Sequence, residues 1–161
     1  MNIFASDKCP VKAAQNLDDK RLVKMVSETG QLLSTALFRL GYWSNVLYKP
    51  GYQNHPCTVW TRASRGNFNW LVDHGIALGN EYTHRYYRLH ASQAVIETAK
   101  EISLTAVFPA DKLMDFPNCT DVYTGRSIVN RYRTYLIHTK WKDSSPKWTN
   151  RGPPKWYKEE K

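Results

Sequence analysis

A chain of 161 residues is long enough for one domain with its own core, and 42% hydrophobic with 23% charged residues is an ordinary soluble composition. Lys and Arg number 23 against 14 Asp and Glu, a formal charge of +9, and aromatics reach 13%; that balance favours a nucleic-acid partner over an acidic protein or an anionic membrane surface. Three cysteines without a CxxC argue against a disulfide framework and a zinc knuckle, the N-terminus lacks a signal peptide's apolar run, and no stretch approaches the roughly 20 apolar residues of a membrane span.

In chain order, residues 2–10 are short, mixed and turn-like, with Ser6 or Asp7 placed to lead into a first helical turn. From Val11 the pattern becomes helical. At steps of about 100°, Leu22, Met25, Val26, Thr29, Leu32, Leu33 and Ala36 fall on one arc, and Lys20, Arg21, Lys24, Ser27, Glu28 and Gln31 on the opposite one. One amphipathic helix is therefore predicted to run to near Leu40, with Gly41 as its stop signal. Residues 42–54 carry Pro50-Gly51 and read as an exposed loop. Pro56 suits a first helical position, capped by Asn54 or His55, and Val59, Trp60, Phe68, Leu71, Val72, Ile76 and Leu78 supply a long helix bent near Gly66.

Ser92 is placed as the cap of SQAVIETAKEI. Residues 108–117 hold two prolines and connect to a further helix over 121–141, marked by Val122, Ile128, Val129, Tyr132, Leu136 and Ile137. The final KDSSPKWTNRGPPKWYKEEK shows no helical or strand period and reads as an extended aromatic, basic tail that packs on the body or on a ligand. No alternating strands or repeats stand out. The expectation is a compact all-α fold, with a helical domain over 1–145 and a tail over 146–161.

The stretch LDDKRLVKMVSE poses the functional question. Lys24 and Glu28 at i,i+4 suit a solvated ion pair worth a few tenths of a kcal/mol. Equally, cations around one carboxylate suit N-glycosidic cleavage: positive charge builds on the sugar and a carboxylate stabilises it, while basic groups meet the phosphates.

LDDKRLVKMVSETGQLL resembles the first catalytic helix of pyrimidine-dimer DNA glycosylases of the phage endonuclease V type, with Leu17, Asp19, Arg21, Leu22 and Glu28 in register. NHPCTVWTRASRGNFNWLVDHGIALGNEY is similar to the family's His-led segment and long helix, and PPKWYK resembles its aromatic tail. Together these cover about half of the chain in the family's order. The resemblance implies a compact helical protein that flips a base out of duplex DNA and attacks C1′ with its N-terminal amine. The resulting Schiff base then permits strand cleavage by β-elimination. An α-amine ordinarily titrates near about 8 and a lysine near about 10.4, so the former offers far more free base at neutral pH.

Two departures bear on the nucleophile. Asn2 is larger than the residues that normally permit removal of Met1, and the stretch before Glu28 is longer than the family's. The amine of Met1, that of Asn2, Lys20 or Lys24, or water in a monofunctional enzyme all stay open, with the N-terminal amine favoured.

Glu28 with Met1 or Asn2 is the expected catalytic set. Lys20, Arg21, Lys24 and Gln31 are expected to frame the site on DNA, His55, Arg62 and Arg65 to border it, and Trp156, Tyr157 and Lys158 to close it. His55 also suits a plain cap, the arginines plain surface charge, and the two rings plain anchoring. His84 and His90 lack ligand-spaced partners, and Cys57 reads as core rather than as a dyad with His55. Arg131, Arg133, Lys140 and Lys142 form a second basic strip, either DNA footprint or wet helix face. The reading is thus a base-excision enzyme for a damaged or modified pyrimidine, a pyrimidine dimer first, acting as a cytoplasmic monomer (host cytoplasm for a viral source). Double-stranded DNA is the expected partner, with no membrane, metal or cofactor. A glycosylase for another modified pyrimidine in viral DNA, a non-catalytic DNA-binding protein and an inhibitor of a nucleic-acid enzyme are the alternatives.

Overall fold

The computed structural model describes residues 1–125 and 127–159, and among these it has seven α-helices and no strand. They are α1 (Pro10–Gln15), α2 (Asp19–Arg39), α3 (Pro56–Ala63), α4 (Arg65–Tyr86), α5 (Gln93–Ser103), α6 (Ile128–Tyr135) and α7 (Lys155–Glu159), with a π turn at Leu136–Lys140 continuing α6. Helix α2 is central, in contact with α3, α4 and α5, while α4 also packs on α1. The apolar arc expected for α2 is the buried one, from Leu22 to Ala36, and it shares one core with Phe68, Leu71 and Leu78 of α4 and Ile96 and Ala99 of α5. Gly41 ends α2 as expected. At φ +92° it lets its own amide reach the Phe38 carbonyl at 3.0 Å and the Tyr42 amide reach that of Leu37 at 2.9 Å.

Several boundaries differ from the periodicity. The single helix predicted from Val11 is two, because the chain turns extended at Asp18. Its carboxylate accepts from Arg21 Nη1 and Trp141 Nε1, each at 2.9 Å, and the Asp19 amide donates to the Lys147 carbonyl at 2.8 Å. The bend expected at Gly66 is a break at Ser64, whose hydroxyl caps α4 by accepting from the Asn67 amide at 3.1 Å. The next amides, of Arg65 and Gly66, donate to the Ala110 and Asp111 carbonyls at 2.8 and 2.9 Å. Gly66 permits that approach, since a Cβ there would collide with the Leu113 nitrogen.

Ser92 does precede α5, but its hydroxyl contacts Ser27 at 3.1 Å and accepts from Tyr48 at 2.8 Å rather than capping the helix. The helix expected from residue 121 begins only at Ile128, capped by Ser127. Before it, Thr120 holds a turn by donating to Asn118 and accepting from the Val122 amide, and such local bonds compete with helix.

The tail is seated on the junction of α1 and α2. Trp148 Nε1 donates to the Asn16 carbonyl at 3.0 Å, and the Thr149 hydroxyl and amide donate to Asp19 at 2.7 and 3.0 Å. Residues 155–159, expected to be extended, turn helical. There Trp156 stacks on Trp141 at 5.8 Å, and Tyr157 meets Trp141 edge-on at 5.2 Å. Each such ring pair is worth about 0.5–1.5 kcal/mol beyond its buried area, enough in sum to hold a short segment in place.

Candidate active site

The N-terminal segment is core, although its mixed composition suggested only a turn: Asn2, Ile3, Phe4, Ala5 and Ser6 are all buried. Asn2 organises it. Its Oδ1 accepts from the Ile3 and Phe4 amides at 2.7 and 2.9 Å, and its Nδ2 donates to the Cys119 carbonyl at 2.9 Å. These bonds hold Phe4 at φ +41°, a left-handed conformation that a non-glycine residue keeps only when its surroundings impose it.

The segment thereby meets the polar arc of α2 at Glu28. The Asn2 backbone N–H donates to Glu28 Oε2 at 3.1 Å, the Met1 amine lies 3.9 Å from the same oxygen, and Lys24 Nζ lies 3.2 Å from Oε1. The i,i+4 pair therefore exists, but it does not describe the site. Lys24 is 72% exposed, so the pair contributes no more than about 0.5 kcal/mol. Glu28 is 14% exposed and spends its other oxygen on the chain's N-terminus.

A cavity of about 280 Å³ opens here, lined by Met1, Asn2, Phe4, Lys20, Arg21, Lys24, Met25, Glu28, Cys119, Tyr135 and Lys140. Among these lining residues Glu28 is the sole carboxylate, facing four cationic side chains and the terminal amine. That distribution attracts an anionic backbone and keeps one base or proton carrier at its centre.

Of the residues expected at the site, Lys20, Arg21, Lys24, Glu28, Met1 and Asn2 line this cavity. Arg21 is also a strut, donating to Asp18 and, at 2.6 Å, to the Lys140 carbonyl. Gln31 is turned to the 49–51 loop, donating to Thr35 and to the Lys49 carbonyl. Arg62 donates to the Gln53 carbonyl at 2.7 Å. Arg65 clamps the carbonyls of Ser103 and Ala106 and lies over the Phe108 ring. Trp156 and Tyr157 sit in the Trp141 cluster, outside the cavity lining, and Lys158 is exposed.

His55 caps α3, its Nδ1 accepting from the Cys57 amide at 3.2 Å. Burial, and then the Met1 amine, push its pKa below the ordinary value against the opposing pull of Glu28. A neutral ring with Nδ1 as acceptor carries its proton on Nε2. Cys57 is core, as its apolar position implied, but its sulfur lies 2.9 Å from that of Cys119.

Sequence reasoning missed Phe4, Met25, Cys119 and Tyr135 as lining residues. Lys140 was within reach as part of the second basic strip. Cys119 had no local signal, because a turn between two prolines and a helix shows no period.

A family model described as pyrimidine dimer DNA glycosylase matches residues 1–94 of the 161, a span that includes α1 to α4, Glu28 and His55. No curated protein and no solved structure matches the chain. More than half of the sequence thus follows one family pattern, and the chain belongs to the pyrimidine dimer DNA glycosylase family.

Proposed function

We propose that the protein cleaves an N-glycosidic bond of a pyrimidine dimer in double-stranded DNA and then cuts the strand as an AP lyase, with the N-terminal α-amine as nucleophile and Glu28 as its carboxylate. The observation that carries this reading is the meeting of that amine and the Asn2 nitrogen with one half-buried carboxylate, at 3.9 and 3.1 Å, inside a cationic cavity. The Asn2 nitrogen is the better held of the two. If Met1 is removed, the free amine is the atom already hydrogen-bonded to Glu28.

The amine lone pair adds to C1′ as the N-glycosidic bond breaks, and the departing base takes up a proton. Glu28 stabilises the positive charge growing on the sugar and accepts the amine's proton. Ring opening leaves a Schiff base between C1′ and the amine. Removal of a C2′ proton then expels the 3′ phosphate by β-elimination, and water releases the enzyme. Lys20, Lys24 and Lys140 lie where phosphates would approach the cavity, and the unpairing already present at a dimer lowers the cost of flipping.

The test is a duplex bearing one thymine dimer, incubated with the protein and borohydride. A covalent adduct mapping to the N-terminal peptide, with strand cleavage, is expected, and acetylation of the α-amine should abolish both. An adduct mapping to Lys20 or Lys24 would transfer the nucleophile to that lysine. Binding without adduct or cleavage would refute the dimer as substrate.

A further inference from the structure

Behind the cavity wall, three donor groups converge that the proposed reaction does not use: His55, Cys57 and Cys119, their ligating atoms all within 4.8 Å of one another. Cys57 follows the α3 cap and is fully buried, whereas Cys119 is half-buried and lines the cavity, on the substrate side of the pair. Their sulfurs stand 2.9 Å apart. Two thiolates on a tetrahedral zinc, each at about 2.3 Å from the metal, would stand about 3.8 Å apart. A disulfide needs about 2.05 Å. The pair is closer than a shared metal would set it and lacks less than an ångström of bonding distance. His55 Nδ1 is moreover already engaged as the α3 cap.

We infer that Cys57 and Cys119 are a reversible dithiol–disulfide site, closed by peroxide-class oxidants, whose closure disturbs the amine–carboxylate pair of the cavity. Cys119 is the sulfur that reacts first. It is the more exposed one, and the hydrogen bond between the two sulfurs pulls its pKa down while raising that of Cys57. Its thiolate attacks a peroxide oxygen, cleaving the O–O bond, to give a sulfenic acid and one molecule of water. Cys57 sulfur then attacks the sulfenyl sulfur, its proton leaves with the hydroxyl as a second water, and the S–S bond forms. Two thiols lose two electrons and two protons, and hydrogen peroxide is reduced to two waters. A small dithiol reverses the bond by exchange.

The path to the site is short. The Cys119 carbonyl holds the Asn2 side chain, and the Asn2 amide holds Glu28. Drawing the sulfurs together by nearly an ångström shifts that carbonyl's segment, and misplacement on this scale costs up to about 100-fold in a positioned reaction. This consequence rests on the proposed glycosylase reading, but the bond itself does not.

The experiment treats the reduced full-length protein with hydrogen peroxide, alkylates remaining thiols and maps peptides under non-reducing conditions, with dimer cleavage assayed in parallel. A Cys57–Cys119 linked peptide about 2 Da lighter than the two reduced peptides is expected, with Cys9 alkylated. Cleavage should fall at least tenfold and return with dithiothreitol. Cys57→Ser should lose the link and Cys9→Ser keep it. Both cysteines staying alkylatable, Cys119 oxidising without a link, or stoichiometric zinc protecting both thiols would each overturn the inference. A link that leaves cleavage unaltered would overturn its coupling to Asn2. Protein inactive on dimer DNA in both redox states, with the link mapped, would refute the glycosylase reading and leave the redox site standing.

Discussion

Helix α2 carries two clusters of charge built from the same residue types, and they do opposite things. At its first turn Asp19 accepts from Arg85 at 2.9 Å and from Thr149. Arg85 also donates to Glu81 at 2.8 Å, and Arg151 donates to both oxygens of Glu81. Arg85 is wholly buried and Glu81 3% exposed, and the two carboxylates and two guanidinium groups pair off with one another. Burial works against the Asp19 charge, yet the Thr149 and Arg85 bonds outweigh it and hold the carboxyl below its ordinary pKa. Farther along, Glu28 faces more cations than it can neutralise, beside a cavity. A closed network locks the tail to the body, while an open one with surplus positive charge is left for an anion. The excess, rather than the presence of charge, separates a strut from a site.

Exchanging one residue in each cluster should separate the two roles. Glu28→Gln is expected to slow dimer cleavage by about 10²–10⁴-fold in single-turnover assays while leaving the urea midpoint nearly unmoved. A loss of folding instead would place Glu28 with the struts. Arg85→Ala should do the reverse and remove about 3–5 kcal/mol of stability in urea titrations, because it strips a buried partner from Asp19 and Glu81. An unchanged midpoint there would end the distinction.

The buried interior, away from both clusters, also predicts a pH effect. His74 is fully buried, its Nδ1 donating to the Pro10 carbonyl at 3.0 Å, and burial lowers its pKa from 6.5 to about 4. Its neutral form is the folded one, so its contribution is complete above about pH 6.5 and lost as the pH falls toward about 4. The loss is roughly 3 kcal/mol over that interval, readable by chemical denaturation, and His74→Gln should flatten the slope. Smallest of all, Lys24→Gln should change stability by no more than about 0.5 kcal/mol, but reduce the steepness with which DNA binding falls with salt.

The local pattern of the chain determined the all-α class, the buried arc of α2, Glu28 on the opposite face and Gly41 as the α2 stop, and it narrowed the α3 cap to Asn54 or His55. These depend on residues three or four apart, or on one residue's backbone preference, and that information is contiguous in sequence. Only the tertiary structure decided what Glu28 meets. The burial of residues 2–6, the Asn2 bond to Cys119 across 117 positions and the seating of Trp148 and Trp156 near Asp18 are contacts between distant segments. No local period encodes them.

The same reason parted Arg21 from Arg65. Both looked like phosphate contacts, and the fold gave one a cavity wall and the other the carbonyls of Ser103, at the end of α5, and Ala106 just beyond it. A helical wheel says which way a side chain leaves its helix; what waits there depends on segments that only folding brings near.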